Sequence, residues 1–247
     1  MEPRAKVCTE GEEEARKSPI ATVRSVAEAL GAGEEKILAV LPLPPGVGYA
    51  VSASAAIAAA LALGAPRHKL SYLLSLAHEA EVRERTGLGD VLAISCGIGL
   101  VARTSPGAPG IGRADCRQLP PGISLISIAV AREHAGEYVK RYTSMRLHEA
   151  AEPIIAKISE SLDFHLFAEE VLRFNVENGL IRSMIGERGE EIVLRTPGLI
   201  TAYGKKGLVL VAVERSRARE AVEHLSLLGY NLFYLRPSGS SVAVEVA

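Results

Sequence analysis

Residues Lys36 to Leu43 read KILAVLPL, a buried strand, and run directly into Pro44-Pro45-Gly46-Val47-Gly48 and then YAVSASAAIAAALAL. This strand–turn–helix junction constrains the fold more than any other stretch. A turn that only reverses the chain has no need of two prolines, two glycines and a row of small side chains. The helix it feeds is expected over about Val51 to Leu63, ended by Gly64. The first-turn N–H groups of a helix lack partners within it, and the macrodipole adds partial positive charge there. Gly46 and Gly48 remove side chains that would block the approach to that backbone. Ala50, Ala53, Ala55 and Ala56 keep the helix start slim, and Ser52 and Ser54 offer hydroxyls. The arrangement suits an anion such as phosphate. Close packing of strand on helix would use the same alanines.

Two common phosphate loops fit poorly. No Lys follows the glycines, as a Walker A loop requires. Val51 stands where the dinucleotide fingerprint has its third Gly, and no acid lies near Leu70.

A second stretch, AHEAEVRERTGLGD, covers Ala77 to Asp90. A helix is expected from Pro66 to about Arg85, with an apolar stripe at Leu70, Leu73, Leu74 and Ala77. Helical spacing puts Glu81 on that stripe and Glu79 on the opposite face. An inward carboxylate is costly unless it meets a cation or a donor. A magnesium ion held together with a phosphate would meet that need. A surface pair between Glu81 and Arg85 is the alternative. Asp90 closes a loop with two glycines, which either aims its carboxylate into a cleft or leaves it as an N-cap.

The remaining pattern places a strand at Arg4 to Thr9. Ser18 reads as an N-cap, with Pro19 at the first helical position, for an amphipathic helix to about Leu30. A strand near Gly99 to Arg103, a turn cluster at Ser105 to Gly112 and a strand at Ile123 to Val130 follow. The pattern changes near Tyr142. Helices are expected at Met145 to Ser161 and Phe164 to Asn178. Then LITAYG, GLVLVAVE, a helix over Ser216 to Leu228, NLFYLRP and SVAVEV suggest an antiparallel sheet carrying helices.

Composition narrows the partners. A net charge of −1 and only 4% aromatic residues, with no Trp, argue against a nucleic-acid surface. The longest apolar run, Val51 to Ala65, is interrupted by Ser52 and Ser54 and falls short of the ~20 residues of a spanning helix. Cys8, Cys96 and Cys116 form no CxxC pair, so no disulfide framework and no thiolate zinc site is expected. The N-terminal residues carry no apolar signal region. A cytoplasmic protein without membrane or nucleic-acid partners is expected.

Together these stretches resemble the GHMP kinase superfamily, whose phosphate loop reads Pro-Pro-Gly-x-Gly-x-x-x-Ser-Ala. Pro44, Pro45, Gly46, Gly48, Ser52 and Ala53 match in order. Ala50 stands where that family commonly has Gly, and Val51 where it commonly has Ser. Within the superfamily the segment around TGLGDV, with the small-residue strand ending in Arg103 and the GAPGIG turn, is similar to archaeal-type pantoate kinases. The likeness is specific from about Ile37 to Gly112. Ser183 to Gly186 faintly echoes a third glycine motif.

The resemblance implies an α+β, GHMP kinase-like two-layer fold. Its nucleotide-binding α/β part would span residues 1–142, expected to lack the first strands and glycine turn of the family, and a ferredoxin-like α+β part would span 143–247. It further implies ATP-dependent phosphorylation of the 4-hydroxyl of (R)-pantoate, towards coenzyme A. Pro45, Gly46, Val47, Gly48, Ser52 and Ala53 would bind ATP. Ser52 and Glu81 would hold Mg²⁺, Asp90 would be catalytic, and Thr86 and Arg103 would bind substrate. A surface role for Arg103 and a loop cap for Thr86 are the alternatives. A homodimer is implied as well. The rival readings are another GHMP-type kinase, acting on homoserine, mevalonate or a sugar, and a non-catalytic ligand-binding homologue.

Overall fold

The computed structural model describes residues 6–9, 20–32, 37–40, 43–97, 99–130 and 145–235. The first half runs β1 (Lys6–Thr9), α1 (Ala21–Ala29), β2 (Ile37–Val40), α2 (Val51–Gly64), α3 (Leu70–Arg83), α4 (Asp90–Cys96), β3 (Leu100–Ser105), β4 (Arg113–Arg117) and β5 (Ile123–Ala129). The second runs α5 (Met145–Ser161), α6 (Phe164–Glu177), α7 (Leu180–Leu194), β6 (Leu199–Lys205), β7 (Leu208–Glu214), α8 (Ala218–Leu225) and β8 (Asn231–Leu235). Among these residues no helix is long and apolar enough to cross a membrane. The Ser18–Pro19 cap and the strand at Val242 to Val246 lie outside the described residues.

The alanine-rich sequence of α2 makes it a central helix. It buries Ala53, Ala56, Ile57 and Ala60 against Val23 and Val26 of α1 and Leu73 and Ala77 of α3. A helix apolar on every side belongs in an interior. Small side chains let the neighbours approach closely: a Cβ on Gly64 would strike Leu73. The side chain of Thr22 on α1 donates to the Ser52 carbonyl, 3.1 Å away, so α1 braces the first turn of α2.

Four strands form an antiparallel sheet in the order β6-β7-β5-β8. The sheet expected from the second half alone therefore takes an inner strand from residues 123–129. Ile126 and Ile128 of β5 pack with Ile181 and Val193 of α7 and Ala221 and Leu225 of α8. Ser127, on the other face, meets Tyr49 beside the glycine turn, with the hydroxyls 2.7 Å apart. This alternation is the two-residue period of a strand.

Several expectations are corrected. α3 starts at Leu70, not Pro66, because residues 65–67 form a turn; Leu70 is exposed while Leu73, Leu74 and Ala77 are buried. The small-residue run after Asp90 is α4 before it becomes a strand. β4 and α7 were not foreseen. The polar RADCR of β4 pairs antiparallel with β3, and α7 contains Gly186 with φ 76° and ψ 172° inside it. Cys96 and Cys116 form a disulfide, Cα atoms 6.2 Å apart, because the β3–β4 hairpin brings β4 back to the end of α4.

Candidate active site

The glycine turn sits against the hairpin that joins β6 to β7. The Gly207 N–H donates to the Val47 carbonyl at 3.0 Å. Gly48 has φ 118°, and a Cβ there would lie 2.7 Å from the Lys205 carbonyl. Only a glycine allows this approach and this conformation together. Tyr49 fixes the turn from the other side through Ser127 and an edge contact with Phe233. Ala50 caps α2 in the left-handed region, φ 55° and ψ 29°. The first bond within α2 runs from the Ser54 N–H to the Ala50 carbonyl, 3.0 Å, which directs the N–H groups of Val51, Ser52 and Ala53 out of the helix end. Pro45 and Gly46 are exposed at the mouth, Val47 and Ala53 are buried, and Ser52 is half-buried.

The acids come next. Glu81 is 1% exposed, while Glu79 faces solvent. The face predicted from helical spacing is the face observed. The Thr86 hydroxyl donates to Glu81 Oε1 at 2.6 Å. Glu81 Oε2 is buried without a partner among the described residues. Burial pushes the Glu81 carboxyl above its ordinary range; the nearby Ser52 hydroxyl and the Thr86 hydrogen bond oppose this, and the charge of Asp90 adds to it. Asp90 is the first residue of α4, and the capping position belongs to Gly89. A Cβ on Gly87 would lie 2.5 Å from Glu81 Oε2 and 3.1 Å from Asp90 Oδ2. Both carboxylates therefore converge on the space that Gly87 leaves open.

Two cations complete the cluster, and neither was singled out in the sequence. Lys205 Nζ lies 3.2 Å from Asp90 Oδ1, and Lys206 Nζ donates to the Thr86 carbonyl at 2.9 Å. Both sit in Gly204-Lys205-Lys206-Gly207, between two strands that were read from the pattern. Two lysines between glycines in a hairpin turn was the available signal. Burial, and then the charge of Asp90, push the Tyr203 phenol up to about 12, so it keeps its proton beside that carboxylate. Arg103 is exposed, donates to the Leu88 carbonyl at 3.0 Å and packs on Gly89, where a Cβ would collide with its guanidinium.

The geometry thus gathers Gly48, Ser52, Glu81, Thr86, Asp90, Lys205 and Lys206 into one cluster, with Arg103 packed on the Asp90 loop. Polar backbone at a helix start, paired carboxylates and lysines suit the binding and transfer of a charged group. Among the described residues no three His, Cys, Asp or Glu side chains cluster as a metal site. A cation here would take Glu81 and Ser52 from the protein and the rest of its oxygens from a ligand and water.

No family model matches the chain. The fold is GHMP kinase-like. It is similar to a structure described as a phosphotransferase related to the CoA biosynthesis pathway, with a TM-score of 0.72 and 21% identity over 98% of this chain and 83% of that one. It is also similar to homoserine kinase from Cytophaga hutchinsonii, with a TM-score of 0.66 and 13% identity over 95% and 85% of the two chains. L. major mevalonate kinase in complex with R-mevalonate gives a TM-score of 0.61 and 15% identity over 96% and 86%. In sequence, 84 residues are 42% identical to pantoate kinase from Thermococcus kodakarensis, 34% of this chain and 28% of that protein. The chain thus resembles a pantoate kinase in one segment and the GHMP kinases in its whole fold.

Proposed function

We propose that this chain is a small-molecule kinase that transfers the γ-phosphoryl group of ATP to the 4-hydroxyl of (R)-pantoate. The observation that carries the reading is the convergence of Glu81 and Asp90 on the open space at Gly87, beside the glycine turn. The segment similar to a pantoate kinase supports the choice of acceptor.

The contacts support the following roles. The backbone of Pro45 to Gly48 and the start of α2, with Ser52 and Ala53, holds the triphosphate. Gly46 and Gly48 leave the path to that backbone clear. Ser52 and Glu81 would hold Mg²⁺, and the orphaned Glu81 Oε2 fits that task. The bound ion supplies charge neutralisation on the phosphates. Thr86 orients Glu81. Lys205 fixes the direction of the Asp90 carboxylate. Asp90 aligns the acceptor hydroxyl and takes its proton as the new oxygen–phosphorus bond forms and ADP departs. Arg103, packed on the same loop, pairs with the carboxylate of the acceptor. The enzyme would work as a cytoplasmic homodimer.

Asp90→Asn tests the reading. Coupled assay of ADP release with pantoate, homoserine, mevalonate and a sugar panel should show pantoate as the preferred acceptor for the wild type. The variant should lose ~10²-fold or more in kcat while its circular dichroism is unchanged. Turnover near the wild-type rate in the variant removes Asp90 from the chemistry. Preference for another alcohol replaces pantoate and keeps the kinase, and magnesium-dependent ATP binding with no turnover on any acceptor favours a non-catalytic binder.

A further inference from the structure

The turn that joins β6 to β7 touches both sides of the site. Its backbone supports the glycine turn: the Gly207 N–H donates to the Val47 carbonyl at 3.0 Å, and the Lys205 carbonyl and Leu208 side chain leave no room for a Cβ at Gly48. Its lysines reach the acid loop instead. Lys205 Nζ meets Asp90 Oδ1 at 3.2 Å, and Lys206 Nζ donates to the Thr86 carbonyl at 2.9 Å. Lys206 holds a left-handed backbone, φ 55°, which suits glycine and disfavours a residue with a Cβ. Glycines stand close by at 204 and 207, yet the strained position carries a long charged side chain. Such strain persists where the surroundings make use of the residue. Thr86, which Lys206 grips, is itself tied to Glu81 twice. Its N–H donates to the Glu81 carbonyl at 3.1 Å and its hydroxyl to Glu81 Oε1 at 2.6 Å. The Thr86 carbonyl belongs to the peptide unit that leads into Gly87. Gly87 and Gly89 give this loop wide backbone freedom. A Cβ on Gly87 would lie 2.5 Å from Glu81 Oε2, so the setting of that peptide unit governs the space in front of the orphaned oxygen.

We propose that Lys206 is a positioning residue: it holds the peptide unit between Thr86 and Gly87, fixes the Thr86 hydroxyl through it, and so keeps Glu81 aimed at the place of a divalent cation. It touches neither the acceptor nor the cation. Because the same turn bonds to Val47, it also sets the spacing between the glycine turn and the acid loop. The phosphates on one side and their cation on the other are thereby held in register. That last step rests on the kinase reading; the grip of Lys206 on the loop does not.

Hydrogen exchange of the ligand-free full chain tests the grip. In Lys206→Met, which keeps the stem and removes the donor, the amides of residues 84–90 should exchange at least about tenfold faster, with those of α7 unchanged. Lys206→Arg keeps a charged donor and should exchange as the wild type does. Calorimetric titration of the ADP-saturated protein with Mn²⁺ tests the consequence. Lys206→Met should bind Mn²⁺ about tenfold or more weakly, as when the partner that orients a metal ligand is lost. In turnover the same variant should regain its kcat as magnesium is raised, with KM for pantoate unchanged. Lys206→Gly removes the side chain and eases the backbone, so it decides the matter if Lys206→Met fails to fold by circular dichroism. Unchanged exchange at residues 84–90 overturns the grip. Faster exchange with unaltered Mn²⁺ affinity overturns its tie to Glu81, as does a loss of kcat that magnesium does not restore. Faster exchange and weaker Mn²⁺ binding in variants of a protein that phosphorylates nothing would instead defeat the kinase reading alone.

Discussion

Glu81 and Glu170 are both almost fully buried, 1% and 3% exposed, and their surroundings are opposite. Glu170 lies on α6 and is gripped by Lys157 of α5, 2.6 Å away, and by Arg173 one turn on. The Lys157 hydrogen bond, with help from Arg173, holds its carboxyl below the ordinary range. Glu81 lies on α3 with Thr86 on one oxygen and nothing described on the other. Burial holds its carboxyl above the ordinary range. A paired buried acid ties two helices together. A buried acid left half-satisfied beside a second carboxylate marks a place prepared for something the chain does not itself supply.

The sharpest break of this contrast is kinetic. Glu81→Gln should lower kcat by ~10²–10³-fold and raise the Mg²⁺ requirement, with Glu170→Gln staying within about threefold of wild type. The measurement is steady-state ADP release across a magnesium titration. Equal losses in the two variants would make Glu81 a structural acid like its counterpart.

The next effect is on stability against pH. Glu81 has a raised folded pKa, so the folded chain holds a proton that the unfolded chain has released. Stability therefore falls as pH rises from the ordinary value of 4.5 through the folded one. Glu170 has a lowered folded pKa, so its contribution is full above the ordinary value and is lost as pH falls through the folded one. Thermal melts of the ligand-free protein should show Glu81→Gln raising Tm at neutral pH by ~2–4 °C. Glu170→Gln should lower Tm there and flatten the acid side of the curve. A fall in Tm at neutral pH for Glu81→Gln would mean that its charge is already satisfied.

The smallest effect concerns the turn facing these acids. Ala50 holds a left-handed backbone that disfavours a side chain by roughly 1–2 kcal/mol. Ala50→Gly should stabilise the fold by about 1 kcal/mol in chemical denaturation, after the entropic penalty of glycine. Destabilisation would mean that packing of the Ala50 methyl outweighs the backbone strain.

Much of one side of the cleft was legible in the sequence. The strand–turn–helix junction follows from its prolines, glycines and small residues, and the inward face of Glu81 follows from local spacing, because the buried apolar residues of α3 repeat with the helical turn. The other side was not. Lys205 reaches Asp90 across 115 residues, and no local periodicity reports such a meeting. Asp90 could be read as a cap because an acid before a helix looks the same whether it caps or faces a ligand. α7 was hidden by Gly186 and Gly189, which lower helix propensity at two points inside it. β4 was hidden because an edge strand with arginine at both ends lacks the apolar alternation of an inner one.

The inner position of β5 has a consequence for how the molecule is made. Its hydrogen-bonding partners, β7 and β8, emerge from the ribosome some eighty to a hundred residues after it. Until then the backbone of Ile126 and Ile128 lacks its strand partners, and Ser127 cannot anchor Tyr49 in its final setting. Such long-range pairing gives a high contact order and slow folding, so the cluster that Lys205 and Lys206 complete is assembled last, and a nascent chain halted before residue 208 would be prone to stick to its neighbours.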